Sequence, residues 1–164
     1  MHTRPRIAER GAQPYVALRR VVTIPFGPVV DATLPELFQW LDTHGVEPAG
    51  PPFFKYNLID MAGELEIDFG VPTAASLEAP AGVVASMLPA GRYVTLTHHG
   101  HYDGLVEATG ALLGWAAAQG LELDQEGTAR GDRFAGRFEV YPSDPRDVPN
   151  PDDWETEIWI KLKD

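Results

Sequence analysis

Apolar positions along the chain change period several times, and each change marks an element. Val16 to Ile24 is rich in β-branched residues and reads as a strand. From about Leu34 to His44 the period lengthens, with Leu34, Leu37, Phe38 and Leu41 at the i, i+3, i+4, i+7 spacing of a helix. Thr33 and Glu36 have the spacing of a capping box, and Pro35 falls in the expected first turn, where its missing N–H costs little. Gly45 is placed to end this helix. Phe53 to Leu58 and Leu65 to Phe69 read as a hairpin around Asp60-Met61-Ala62-Gly63. Residues 72–89, rich in Ala and Pro, read as a linker or an extra edge segment.

The same order then recurs. Tyr93 to His99 reads as a strand, and Asp103 is placed to cap a helix from about Gly104 to Gln119. Its stripe is Leu105, Thr109, Leu112, Leu113 and Ala116, and Gly120 follows its end. Phe134 to Tyr141 and Thr156 to Lys163 read as a second hairpin, joined by an ordered, irregular, proline-rich loop over 142–151. Short matches link the halves in one order. Val22-Thr23 aligns with Val94-Thr95, Asp31 with Asp103, Leu37-Phe38-Gln39-Trp40 with Leu112-Leu113-Gly114-Trp115, and Gly45-Val46-Glu47 with Gly120-Leu121-Glu122. Phe53-Phe54-Lys55-Tyr56 aligns with Phe138-Glu139-Val140-Tyr141, and Glu64-Leu65-Glu66-Ile67 with Glu155-Thr156-Glu157-Ile158.

One unit alone is too small to bury a sheet face, so both should share a core. The expected fold is α+β: duplicated β-α-β-β units with pseudo-two-fold symmetry, antiparallel sheets and two main helices. Residues 1–14 are expected to be an N-terminal extension and 15–164 one domain. Within it, repeat one spans about 15–70, a linker 71–91 and repeat two about 92–163.

Composition narrows the function. The 164 residues fit one domain with a sizeable core, and 44% apolar against 23% charged residues is ordinary for a globular chain. No run of eighteen apolar residues suggests a membrane span, and the basic N-terminus is followed by no apolar signal region. Cysteine is absent, which excludes disulfides, thiolate metal sites and cysteine nucleophiles. A cytoplasmic location with no membrane partner is the expectation. The net charge of −11, from 13 basic and 24 acidic residues, opposes direct nucleic-acid binding. It suits cationic ligands or a basic protein partner, or simply a well-solvated surface.

Strand alternation puts Arg137, Glu139 and Tyr141 on one face and Phe138 and Val140 on the other. The repeat places Phe54 opposite Glu139, with Tyr56 beside it. Phe54, Tyr56, Glu139 and Tyr141 are therefore candidates for one cleft. Aromatic walls around a carboxylate suit a flat, lipophilic or cationic aromatic molecule. The competing possibility is an exposed strand glutamate paired with Arg137. Trp40 and Trp115, at matching helix positions, either pack in the core or flank the cleft. Trp159 shares a face with Glu155 and Glu157, so a second carboxylate could approach the site, while the direction of Trp154 is open. Among His98, His99 and His101 only the last two share a face, and no third ligand is fixed, so no metal is expected. Asp144 and Asp147 read as turn residues. No phosphate loop, nucleophile elbow or cofactor motif appears.

His99-Gly100-His101-Tyr102 ahead of a helix, Trp115 near its end, Phe138-Glu139-Val140-Tyr141 and Trp154-Glu155-Thr156-Glu157-Ile158 together resemble the GyrI-like small-molecule-binding domain family. The resemblance runs from about Tyr15 to Lys163. It implies paired β-α-β-β units, a central ligand cleft and a hallmark glutamate at Glu139. Members include effector domains of multidrug-sensing regulators, hydrolases of cyclopropane-containing toxins and gyrase-protecting proteins. No helix-turn-helix segment precedes the domain in this sequence, so regulation in cis is not expected. The resemblance leaves three expectations: drug or toxin binding in the cleft, hydrolysis with Glu139 as general acid or base and Tyr141 or Tyr56 donating a hydrogen bond, or an acidic interaction protein.

Overall fold

Residues 1–60 and 62–164 are described in the computed structural model of the chain; Met61, in the turn expected to join the first hairpin, lies outside them. The strands are β1 (Arg6–Arg10), β2 (Gln13–Thr23), β3 (Phe53–Ile59), β4 (Glu64–Pro72), β5 (Val84–Leu88), β6 (Gly91–His99), β7 (Gln125–Thr128), β8 (Gly131–Phe134), β9 (Arg137–Val140) and β10 (Glu155–Lys161). The helices are α1 (Gly27–Thr43), between β2 and β3, and α2 (Leu105–Ala118), which follows β6 and a short 3-10 turn over Tyr102–Gly104.

The described strands form one antiparallel sheet ordered β1-β6-β10-β9-β3-β4-β2-β5, with the β7–β8 hairpin attached to the end of β3. Its centre, β6-β10-β9-β3-β4-β2, reads alike from both ends when one unit is exchanged for the other. β9 and β3 meet in the middle, where Phe54 pairs with Glu139.

The helix ends show the same correspondence at atomic detail. In α1 the Val46 amide bonds to the Leu41 carbonyl at 2.9 Å, and after α2 the Leu121 amide bonds to the Ala116 carbonyl at 3.0 Å. Gly45 at φ +64° and Gly120 at φ +71° turn the chain at these points. A Cβ added at either glycine would meet nothing within 4 Å, so only the backbone resists substitution. Gly45→Ala and Gly120→Ala should each destabilise the fold by about 1–2 kcal/mol. Urea titration checks this, and a neutral effect at either position would contradict it.

Both helices lie on one face of the sheet. Ala108, Leu112 and Ala116 of α2 pack on Val94, Leu96, Ile158 and Ile160, and Leu37 and Leu41 of α1 pack on Val16, Leu18 and Val71. The opposite face buries Tyr15, Phe53, Tyr93, Phe138 and Trp159 as a separate aromatic core.

Several elements depart from the sequence expectation. α1 begins at Gly27, seven residues before Leu34, because Pro28 starts it with a pre-set φ in place of a side-chain cap. Thr33 is consequently buried inside the helix, Pro35 lies in its interior, and Phe38 is 39% exposed, off the apolar stripe. In α2 it is Ala108, not Leu105 or Thr109, that joins Leu112 and Ala116 in full burial. The N-terminal extension supplies strand β1, which pairs with β6 and lays Arg10 over the Trp159 ring, 4.4 Å from its centroid. Phe134 belongs to β8 and not to the β9–β10 hairpin; of the two readings of residues 72–89, the extra edge segment is the one present, as strand β5. Among the described residues no helix is long and apolar enough to cross a membrane.

Candidate functional site

The centre of the sheet brings two tyrosines onto one carboxylate. Glu139 faces the helices because its neighbours in the chain, Phe138 and Val140, face the opposite core. Tyr56 and Tyr141 each lie two residues beyond the Phe54–Glu139 pair, one diagonally across the strands and one along β9. Tyr56 Oη donates to Glu139 Oε1 at 2.6 Å, and Tyr141 Oη donates to the same oxygen at 2.7 Å. Burial pushes both phenols well above their ordinary pKa, and the adjacent Glu139 charge adds to the effect. Both therefore stay protonated and act as donors. Glu139 Oε2 accepts no hydrogen bond from the described residues and is not sealed from solvent.

Glu139 forms no ion pair with Arg137, whose guanidinium lies 4.8 Å from the Phe134 ring centroid. Burial lowers the Arg137 pKa, with the Glu139 charge acting in the opposite sense. The half-buried, doubly hydrogen-bonded glutamate is thus unlike an exposed strand carboxylate held by its neighbour.

Aromatic rings continue from this group in both directions. Phe54 lies 4.7 Å from Phe69 and 4.6 Å from Tyr141, Tyr102 meets Tyr141 edge-on at 5.7 Å, and Trp154 lies 4.7 Å from Tyr102. Trp154 is held by its indole N–H, which donates to the Val148 carbonyl at 2.6 Å in the proline-rich loop. From the other side, Phe26, Val29, Val30 and Leu34 of the α1 region pack on the Phe54 cluster. The result is a carboxylate under a chain of aromatic rings, between the N-terminal parts of both helices.

The structure sorts the remaining candidates. Phe54 is 7% exposed and backs the group from within the core. The packing partners of Trp40 and Trp115 lie in the two helix cores, and Trp40 also stacks on His44 at 4.5 Å; neither tryptophan is bonded to the tyrosine–glutamate group. Trp159 pairs with Phe138 on the other face and donates to Glu157 Oε1 at 2.9 Å, so Glu157 brings no second carboxylate to Glu139. His98 Nε2 contacts the His101 carbonyl at 2.9 Å, while His99 faces Glu155 at 3.6 Å and His101 faces Asp103 at 3.3 Å. Among the described residues no three His, Cys, Asp or Glu side chains converge as metal ligands.

Sequence spacing misses four contributors. Tyr102 stands in the His-Gly-His-Tyr segment, but its 3-10 turn gives no periodic signal. Trp154 depends on the proline-rich loop. Val29 and Val30 join the wall only because α1 starts early, for which Gly27-Pro28 is the signal.

An open recess of about 490 Å³ lies elsewhere, on the opposite face beside Lys55 and Asn57. Size alone would favour it over the Glu139 group, where the rings close on the carboxylate at contact distance. Charge weighs against it for a cationic ligand, because Arg19, Lys55, Arg133 and Lys163 outnumber Glu66, Asp124 and Glu126 in its lining.

A sequence model of the GyrI-like small molecule binding domain matches residues 3–163. The chain belongs to the GyrI-like family. Among solved structures, this GyrI-like chain resembles EcmrR in its complex with DNA at TM-score 0.76 and 18% identity, covering 98% of this chain and 57% of that one. It thus spans little more than half of that EcmrR chain. The isolated EcmrR C-terminal domain matches at TM-score 0.75 and 18% identity, over 98% of this chain and 97% of that one. SAV2435 bound to tetraphenylphosphonium matches at TM-score 0.63 and 10% identity, over 98% and 94%. A hydrolase from Listeria innocua matches at TM-score 0.59 and 14% identity, over 97% and 91%. At these identities the likeness is one of GyrI-like fold. A comparison with curated proteins found no match.

Proposed function

We propose that this GyrI-like domain binds lipophilic aromatic cations at Glu139. The observation that supports this most is the convergence of Tyr56 and Tyr141 on a single carboxylate oxygen, which orients Glu139 and leaves Oε2 available for a positive charge. The neighbouring rings of Phe54, Tyr141, Tyr102 and Trp154 offer π faces for aryl groups. Access requires the Tyr102–Trp154 pair to move from Tyr141. The test is fluorescence titration with tetraphenylphosphonium beside neutral triphenylphosphine oxide. The cation should bind about tenfold more tightly or better; equal affinities would refute the charge role.

A second reading, hydrolysis of strained electrophiles, is favoured by the same pair of phenol donors beside a carboxylate with a free oxygen. Glu139 would deliver or remove a proton, and Tyr141 would hydrogen-bond the developing anion. Under this reading Tyr141→Phe should slow turnover by about 10²- to 10⁴-fold with little change in substrate affinity. Single-turnover measurements on cyclopropane-containing substrates check it, and unchanged turnover would remove Tyr141 from the chemistry.

Direct recognition of duplex DNA by this domain is not part of the proposal. At a net charge of −11, a gel-shift assay at physiological salt should show no binding. Submicromolar binding would overturn that expectation.

A further inference from the structure

We propose that the face of the sheet opposite Glu139 carries a second binding site, for a small carboxylate-bearing anion, built on Lys55 and Asn57. β3 alternates, so Phe54 and Tyr56 face the helices while Lys55 faces the other way, into the recess of about 490 Å³. That volume is ample for a small metabolite-sized ligand. Lys55 is only 8% exposed. Its ammonium donates to Asn57 Oδ1 at 2.5 Å and has no carboxylate within 4.0 Å among the described residues. The amide nitrogen of Asn57, itself 5% exposed, is buried with no well-formed hydrogen bond, although its side chain helps to hold the Asp68 carboxylate charged. Two buried donor groups thus stand beside one recess with no carboxylate in direct ion-pair contact with the ammonium.

The acid across the strand pair acts on both groups but is committed elsewhere. Asp68, the register partner of Lys55 on β4, is engaged by Tyr15 Oη at 2.7 Å and by Arg19 Nε at 2.7 Å. On the rim, Arg133 and Lys163 make no ion pair among the described residues, whereas Asp124 is held by Lys161 at 3.0 Å. Burying an ammonium with no counter-ion in contact and an amide N–H with no well-formed hydrogen bond is costly, and one carboxylate group would satisfy both. Burial lowers the Lys55 pKa, with Asp68 pulling it back up, which is the strain a bound anion would relieve. Glu66 and Glu126 also stand at the rim, and they disfavour a doubly charged phosphate relative to a singly charged carboxylate.

The test follows the Asn57 side-chain amide by NMR in the full chain, titrated with sodium acetate, sodium glutamate, inorganic phosphate and sodium chloride at matched ionic strength. The carboxylates should give saturable shifts at Asn57 and at backbone amides near Lys55 and Arg133, and chloride should not. Lys55→Met should weaken binding about tenfold or more. Arg133→Ala, on the exposed rim, should weaken it severalfold with the fold intact, which keeps the test valid should Lys55→Met fail to fold. Chloride-like shifts, or unchanged affinity in the folded variants, would overturn the proposal. So would carboxylate shifts confined to Tyr56, Tyr102 and Tyr141, or phosphate binding more tightly than either carboxylate.

Discussion

Glu139→Gln should weaken tetraphenylphosphonium binding by about ten- to hundredfold, on the order of 1–3 kcal/mol, and weaken binding of neutral triphenylphosphine oxide much less. The substitution keeps the shape of the side chain, and the amide oxygen can still accept from Tyr56 and Tyr141. What it removes is the negative charge, which lies in a half-buried position where water screens it poorly. If hydrolysis is the activity, the same change abolishes turnover and leaves binding of uncharged substrates largely intact. Isothermal titration of both ligands with both proteins separates these results. Equal losses for cation and neutral ligand would indicate a packing defect and not a lost charge.

The largest loss of stability is expected at Asp68, on the face away from Glu139. Its side chain is fully buried, with Tyr15 Oη at 2.7 Å and the Arg19 guanidinium at 2.7 Å and 3.1 Å. Asp68→Ala leaves Arg19 and the Tyr15 hydroxyl without their anion. The expected cost is about 3 kcal/mol, at the lower end for a buried pair because the Arg19 side chain is 44% exposed.

The pH dependence of this contribution has a definite sign. Burial pushes the Asp68 carboxyl up, but the hydrogen bonds from Arg19 and Tyr15, together with the Arg19 charge, outweigh burial and leave it below 3.8. A carboxyl depressed in the folded state stabilises the fold fully above its unfolded pKa and loses that contribution as pH falls through the folded value. The urea midpoint of the wild type should therefore drop below about pH 4 more steeply than that of Asp68→Ala. Parallel curves for the two proteins would contradict this.

Much of this arrangement is legible in the sequence because it rests on periodicity. Alternation along β3 and β9 puts Tyr56, Glu139 and Tyr141 on one face, and aligning the two tyrosines puts Phe54 opposite Glu139, with which it pairs. Gly45 and Gly120 mark both helix ends. Other features depend on contacts that spacing does not encode. The β7–β8 hairpin is exposed over most of its length and carries little apolar pattern. β1 is recruited by edge pairing to β6 and by its arginines over Trp159, not by an apolar stripe. Tyr102 reaches Tyr141 from an irregular turn. Trp40 and Trp115 occupy equivalent places in their helices, yet equivalence says nothing about whether a side chain meets the core or the site. Trp115 packs on the core beneath α2 and Trp40 on the core beneath α1.

The most direct test of the Glu139 account is a crystal structure of the protein with tetraphenylphosphonium. The account predicts the phosphonium centre within about 6 Å of a Glu139 carboxylate oxygen, with phenyl groups against Tyr141, Tyr102 or Trp154. A cation held on the opposite face, or seated among the aromatic rings with Glu139 turned away from it, would contradict the account.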